Sequence, residues 1–211
     1  MILVPFDATD PKTRLAPALD ARERAGFAAA MLADVLGAVE RADHGHELRV
    51  LSTEPTDAVP ESVPVDADDR ALTPAVNAVL DAHDPPVAVL TADLPLATPA
   101  TVERLLAAGG AGDVVLAAGR GGGTNALVAR HEEFRVDYHG VSYRDHREAA
   151  RAVGAGVVDV DSRRLATDVD EPADLVEVLV HGETTRASEW LADAGFTLRS
   201  ADGRATVTRG G

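Results

Sequence analysis

Three stretches of this chain carry side chains whose types and spacing suit chemistry on phosphates. In "VLTADLPLAT", residues 89–98, an apolar run leads into Asp93 and is followed at once by Leu94, Pro95 and Leu96. A carboxylate is not needed there as a helix cap, because Thr98 with Pro99 behind it is the better cap and first-turn pair. Asp93 is then either a turn residue or a ligand for a hard cation such as Mg²⁺, and the missing capping role favours the ligand. In "LATDVDEPADLVEVL", Pro172 and Asp174 suit the first turn of a helix, which accepts a missing N–H and welcomes negative charge. That leaves Asp168 and Asp170. At alternate positions of an extended stretch they point to one side and converge, and two such carboxylates repel unless a cation lies between them. Asp-x-Asp pairs are also common in acidic loops, so the pair gains weight only beside Asp93.

The third stretch is "PFDATDPKTRLAP". Its prolines and aspartates prevent regular structure, while Lys12 and Arg14 supply two positive charges. It reads either as a solvated polar loop or as a clamp for a triphosphate, with Lys12 as a compact charge and Arg14 as a fork. Lys12 is the only lysine in the sequence, which favours the clamp. The loop is not a Walker A motif, since the glycines and the Lys-Ser/Thr pair are absent. Two further segments are candidates. In "GRGGGTNALVAR" the glycines allow close backbone approach to a ligand, with Thr124 and Asn125 adding short polar groups, or they simply make a hairpin turn. In "YHGVSYRDH", Ser142 begins a helix where it caps, binds an anion, or does both. His139 and His146 are as much surface as site candidates, and their spacing indicates no metal pair.

The elements that must position these groups alternate between strand and helix. Strands are predicted at "MILVPF", "ELRVLST", "SVPVDAD", "PPVAVLTAD", "DVVLAAG", "TNALVAR" and "GVVDVDS". Helices are predicted at residues 20–42, 73–83, 98–110, 141–156 and 171–182, with a last one near "TTRASEWLADAG". Asp20 with Glu23 makes a capping box for the first helix, and Phe27, Met31, Leu32, Val35 and Val39 form its apolar stripe. "FTLRSADGRATV" closes the chain as a hairpin turning at Asp202-Gly203. The pattern is that of an α/β fold, three layers with a mostly parallel sheet and helices on both faces, as one domain over residues 1–211. In such sheets ligands bind beyond the carboxyl ends of strands, where Asp93, the Lys12 loop and Asp168 all fall.

Composition narrows the function. Of 211 residues, 45% are hydrophobic, enough for a sizeable core. A net charge of -15 argues against a broad nucleic-acid-binding face. The lack of cysteine leaves carboxylates and histidines as metal ligands. No apolar run is long enough to span a membrane and no signal peptide is visible, so a cytoplasmic location is expected. An acidic surface almost stripped of lysine is expected of a protein kept soluble in concentrated salt, hence a halophilic source.

Taken in order, "VPFDATDPKTRLAPAL", "TADLPLA", "GRGGGTNAL", "YHGVSYRDH" and "DVDEPADL" resemble the 2-phospho-L-lactate guanylyltransferase family of coenzyme F(420) biosynthesis. The similarity covers essentially the whole chain. It implies a nucleotidyltransferase fold of the glycosyltransferase-A kind, and condensation of 2-phospholactate with GTP to lactyl-2-diphospho-5'-guanosine and pyrophosphate with Mg²⁺. On this chain it implies Asp93, Asp168 and Asp170 as catalytic metal ligands, and Lys12 and Arg14 holding the GTP phosphates. It assigns the acceptor phosphate to Thr124 and Ser142. It also implies a homodimer. The chain has Tyr138 and His139 where relatives carry Phe-Gly, so the backbone contact near the acceptor is not assigned. Phosphoenolpyruvate, molybdopterin and sugar phosphates are the rival acceptors, and a catalytically silent nucleotide-binding module is the rival of another class. For guanine selection, Asn77 and the "DADDRALTPAVN" segment are the candidates.

Overall fold

The computed structural model describes residues 1–201 and 203–210. In chain order, β1 (Ile2–Phe6) leads through a 3-10 turn (Thr13–Leu15) into α1 (Ala21–Glu40), β2 (Leu48–Ser52), β3 (Val65–Ala67), α2 (Leu72–Ala82), β4 (Val87–Leu90) and α3 (Pro99–Ala107). Then come β5 (Val114–Ala118), β6 (Thr124–Ala129), α4 (Ser142–Ala152), β7 (Val157–Asp159), α5 (Arg163–Ala166) and a 3-10 turn (Pro172–Asp174). The chain ends with α6 (Leu175–His181), α7 (Arg186–Asp193), β8 (Phe196–Ala201) and β9 (Arg204–Arg209).

Among the described residues one seven-stranded sheet runs β3-β2-β1-β4-β6-β5-β7. Parallel pairing joins β1 to β2 and β4, β2 to β3, and β5 to β7. β6 runs antiparallel to both its neighbours. The expected mostly parallel sheet is therefore found, and its one reversal matters: the first residues of β6 lie at the edge where β4 ends. The Thr91 N–H donates to the Asn125 carbonyl at 3.0 Å across that edge.

Alternation along the strands divides the core. Ile2, Val4 and Phe6 of β1, Ala88 and Leu90 of β4, and Ala126 and Val128 of β6 pack on the α1 and α3 side. Leu3, Val87, Val89, Leu127 and Ala129 pack on the other side with α2 and α4. Both faces are buried, which is why these strands read as continuous apolar runs. A third cluster joins Leu15, Leu19, Phe27 and Met31 to Val169, Leu175, Val178, Ala187, Leu191 and Phe196. It holds the end of the Lys12 loop and the middle of the Asp-x-Asp segment in a single apolar body.

The capping box of Asp20 and Glu23 forms as expected, and Thr98 caps α3 with Pro99 in its first turn. Asp93 accordingly has no part in capping. The predicted helix at 171–182 is split, with Pro172–Asp174 forming a 3-10 turn ahead of α6. The short helix α5 was not legible, because four residues carry no periodicity. The closing hairpin forms between β8 and β9, with Gly203 at a φ of 73. Asp202 of the expected turn lies outside the described residues.

A buried polar chain locks the start of β6 to α4. The Asp137 N–H donates to Nε2 of His146 at 2.9 Å, so the ring proton is on Nδ1, which donates to Thr124 Oγ1 at 2.8 Å. His146 has no exposed surface, and Tyr138 meets it edge-on at 4.9 Å. Burial, opposed only weakly by Asp137 and Asp145, pushes the ring down to about 4. The histidine must be neutral in the folded protein, while in the unfolded chain it protonates near its ordinary 6.5. Its contribution is therefore complete above pH 6.5 and is lost as pH falls towards 4, by at most about 3 kcal/mol. Thermal unfolding scanned from pH 7 to pH 4.5 should show a steeper fall for wild type than for His146→Gln; equal slopes would contradict the assignment. Nearby, the Tyr138 hydroxyl is buried without a hydrogen-bond partner. Tyr138→Phe should leave stability unchanged or raise it by up to about 1 kcal/mol in a denaturant titration, since it removes an unsatisfied group.

Candidate active site

Lys12 is the centre of the site. Its backbone sits in the left-handed region, φ 55 and ψ 44, a conformation that disfavours side-chain-bearing residues by roughly 1–2 kcal/mol. What holds it there is packing on both sides: Pro11 is buried before it, and Leu15 is anchored in the third apolar cluster after it. From α1, Arg24 reaches back to the loop, donating through Nε to the Pro11 carbonyl at 3.2 Å and through Nη2 to Asp10 Oδ1 at 2.7 Å. The result turns the Lys12 side chain inward, where only 13% of it is exposed.

There its ammonium lies 2.5 Å from Asp93 Oδ2 and 2.7 Å from Asp170 Oδ1. Burial alone would lower the lysine's pKa, but the two carboxylates outweigh it and raise it. Burial would likewise raise the Asp93 carboxyl, and Lys12 overrides this and holds it below the usual range. Both groups are charged. Arg14 is mostly exposed and touches Asp170 Oδ2 at 3.4 Å, with its guanidinium at the mouth of the cleft.

The second aspartate segment runs beside the first, the Val169 N–H donating to the Asp93 carbonyl at 3.2 Å. Val169 is fully buried in the third apolar cluster, so Asp168 and Asp170 flank it on the opposite side, as the alternation predicts. Asp174 holds the segment in place, its Oδ2 accepting the N–H groups of Asp170 and Glu171 at 3.1 and 2.9 Å. Asp168 itself accepts from Asn125 Nδ2 at 3.1 Å. Burial raises the Asp168 carboxyl, Asn125 opposes this, and the charges of Asp93 and Asp170 push it up further.

Three carboxylates thus share one sheet edge with a single embedded ammonium. Among the described residues, no three acidic or histidine side chains are gathered closely enough to enclose a metal ion. Lys12 instead fills the space between Asp93 and Asp170. The donor set still suits a hard divalent cation: Asp93 Oδ1 is buried without a hydrogen-bond partner, and Asp168 experiences an excess of negative charge.

Lys12, Arg14, Asp93 and Asp170, but not Asp168, line a cleft of about 520 Å³. Its floor follows the carboxyl ends of β1, β2 and β4, and its walls come from the Asp7–Arg14 loop and from Asp68, Arg70 and Leu72 ahead of and within α2. Thr124 and Ser142, expected at the acceptor phosphate, are not among the residues that line the cleft. Both are buried, the Thr124 N–H donates to Ser142 Oγ at 3.0 Å, and the Thr124 hydroxyl is engaged by His146. They brace the junction of β6 and α4. The glycine run is a hairpin turn, with the Gly119 N–H on the Gly123 carbonyl at 2.8 Å and Gly122 at φ 88. It also has a function: a Cβ on Gly119 would lie 2.4 Å from Asn125 Oδ1, so only glycine lets that amide reach Asp168. His139 is an exposed partner of Asp137. Asn77 is committed elsewhere, bonding both the N–H and the carbonyl of Val136.

Two positioning residues were missed in the sequence, Arg24 and Asn125 as the holder of Asp168. Arg24 left a signal: it stands three residues before Phe27 and four before Ala28, a charge in line with a buried stripe. Asn125 left none beyond its place after the glycines. The geometry makes a direct prediction for the central pair. Lys12→Met should destabilise the ligand-free protein by roughly 3 kcal/mol, the lower end of the cost of stranding one member of a buried pair. Adding Asp93→Asn should recover part of that loss, with a coupling of about 1–3 kcal/mol in a denaturant double-mutant cycle. Strictly additive losses would show that the pair does not hold the loop.

The chain resembles known proteins along its whole length. A relative from Halomicrobium mukohataei, named 2-phospho-L-lactate guanylyltransferase, is 60% identical over 208 residues, covering 99% of this chain and 98% of its own. Another of that name from Natronomonas pharaonis is 57% identical over 210 residues, covering 100% of this chain and 99% of its own. Among solved structures, a nucleotidyl transferase from Methanothermobacter thermautotroptrophicus superposes with a TM-score of 0.57 at 14% identity, covering 92% of this chain and 99% of that one. These low-identity likenesses establish the nucleotidyltransferase fold. Residues 1–209 match the family described as "Guanylyl transferase CofC like", and with relatives this similar over their full length the chain belongs to that family of guanylyltransferases.

Proposed function

We propose that this protein joins the phosphate of (2S)-2-phospholactate to the guanylyl group of GTP, giving lactyl-2-diphospho-5'-guanosine and pyrophosphate, a step in coenzyme F(420) biosynthesis. The observation that carries the reading is the buried ammonium held between Asp93 and Asp170 at the floor of a cleft large enough for a nucleotide. An acceptor phosphate oxygen bonds to the α-phosphorus, the bond from that phosphorus to the bridging oxygen of the β-phosphate breaks, and pyrophosphate leaves with the electron pair. No proton has to be removed from the acceptor, which suits a cleft lined by no histidine among the described residues. The demand on the protein is to gather several negative charges and align them.

Lys12 and Arg14 meet that demand at the triphosphate, the first as an inward point charge and the second as a fork at the rim. Asp93, Asp168 and Asp170 would hold Mg²⁺, whose contribution is to offset the charge of both the incoming oxygen and the departing pyrophosphate. Asn125 keeps Asp168 turned towards the other two, and Arg24 keeps Lys12 in reach. Thr124 and Ser142 would hold the acceptor's phosphate, and His146 fixes the glycine turn against α4 behind them. The acidic surface with its single lysine supports work in concentrated salt. The family resemblance supports a homodimer in the cytoplasm, and no helix among the described residues is long and apolar enough to cross a membrane.

Purified protein with GTP, Mg²⁺ and high salt should release pyrophosphate only when a phospho-acid is present, and more readily with 2-phospholactate than with phosphoenolpyruvate. Turnover with a sugar phosphate or molybdopterin and with neither phospho-acid would overturn the substrate. Asp93→Asn should fold yet lose turnover at ordinary Mg²⁺, with Asp168→Asn and Asp170→Asn alike and any two together costing little more than one. A folded, fully active Asp93→Asn variant would remove the metal site.

A further inference from the structure

The cleft has a second polar group that the phosphate chemistry does not use. Beyond β3, at the end of the sheet away from Asp93, Asp68 and Arg70 line the same cleft as Lys12. The strand order β3-β2-β1-β4 puts three inter-strand intervals between the two ends, roughly 14 Å at about 4.8 Å each. That separation suits an extended nucleoside triphosphate with its phosphates at Lys12. Between the two ends Phe6, Leu51, Leu72 and Ala75 give an apolar lining, with Asp7 and Thr53 beside it at the ends of β1 and β2, and Leu72 is 38% exposed. An apolar slot with a few polar groups at its edge is the usual form of a base pocket.

Asp68 and Arg70 are held in one arrangement. Arg70 Nε lies 2.8 and 3.2 Å from the two Asp68 oxygens, its Nη2 lies 2.5 Å from Oδ2, and its own N–H donates to Oδ1 at 3.0 Å. Asp68 is largely shielded, its side chain 14% exposed, and Arg70 beside it, by hydrogen bonding, keeps the carboxyl below the usual range and hence ionised. The backbone is fixed too, the Asp68 N–H donating to the Ser52 carbonyl at 2.8 Å. Arg70 bonds Asp68 through one edge of its guanidinium, which leaves Nη1 for another acceptor. A rigid carboxylate next to a guanidinium is complementary to one base above the others. Guanine presents two neighbouring donors, N1–H and the 2-amino group, beside the acceptor O6. Adenine presents an acceptor at N1 and a donor in place of O6. Asn77, the other polar candidate near this end, is excluded because both ends of its amide are bonded to Val136.

We propose that Asp68 and Arg70 are the residues that select guanine, Asp68 accepting from N1–H and the 2-amino group and Arg70 donating to O6. The proposal rests on the reading that the cleft binds GTP, and the test separates the two. Nucleotide selectivity would be measured as kcat/KM for GTP, ITP, XTP and ATP at fixed 2-phospholactate and high salt, with binding of each nucleotide followed by calorimetry. Wild type should prefer GTP over ITP, which lacks the 2-amino group. It should disfavour XTP most strongly among the 6-oxo purines, because its C2 carbonyl would face the Asp68 carboxylate. Asp68→Asn should lower kcat/KM for GTP about tenfold or more, mainly through KM, and should raise that for XTP, since its amide can donate to the C2 carbonyl. A residue that only supported the fold would lower every nucleotide alike. Uniform loss in Asp68→Asn, unchanged selectivity in that variant, or wild type accepting XTP as well as GTP would each overturn the proposal. The XTP comparison in wild type decides even if the variant does not fold. Wild type that used no guanine nucleotide would instead overturn the function on which the proposal stands.

Discussion

The ion triplet of Lys12, Asp93 and Asp170 constrains everything around it. An ammonium and two carboxylates removed from most of their water cost several kcal/mol each in solvation, and only close, fixed partners offset that. The chain therefore spends structure on their geometry. Leu15 and Val169, one following the lysine and one between the aspartates, are buried in the same apolar cluster. Arg24 and Asp174 bond the two loops from outside. The left-handed backbone at Lys12 persists because this packing over-determines it. A site built this way is held in shape before any ligand arrives, as charge-based catalysis requires.

Burial also decides which electrostatics survive in salt. The exposed arginine pairs, such as Arg135 with Asp81 or Arg163 with Glu177, lie where counter-ions screen them, and pairs of that kind contribute little. The Lys12 triplet is mostly shielded by protein and loses much less. A protein with a net charge of -15 thus keeps in its cleft a local field that its surface pairs lack. Arginine serves the surface and the loop braces. The one lysine sits where a compact charge is wanted and a fork would not fit.

The antiparallel β6 shapes the Asp168 side of the site. Because it starts at the edge where the parallel strands end, the glycine turn before it and the amide of Asn125 lie beside Asp168. A parallel strand in that position would have put the same residues at the far edge of the sheet. The buried link from Asp137 through His146 to Thr124 then ties this turn to α4, so the polar residues of the segment act through one another and not through solvent.

The local information in the sequence determined a good deal. Apolar runs buried on both faces, the Asp20–Glu23 box and the Thr98–Pro99 start are short-range patterns, and each predicts its element from neighbouring residues alone. The same applies to the Asp168–Asp170 alternation and to the oddity of Asp93 and the lone Lys12. What no local pattern holds is partnership across distance. Lys12 reaches Asp93 and Asp170 from 81 and 158 residues away, and Arg24 braces a loop 13 residues before it. Thr124 and Ser142 are legible as short polar groups, but that they bond each other and that Thr124 meets His146 is decided only by the packing of β6 against α4. Asp68 and Asn77 were indistinguishable as candidates until the fold committed one amide to Val136 and left the carboxylate on the wall of the cleft. Side-chain type is written in the sequence; whether a polar group faces solvent, a ligand or another buried group depends on which elements the sheet order brings together.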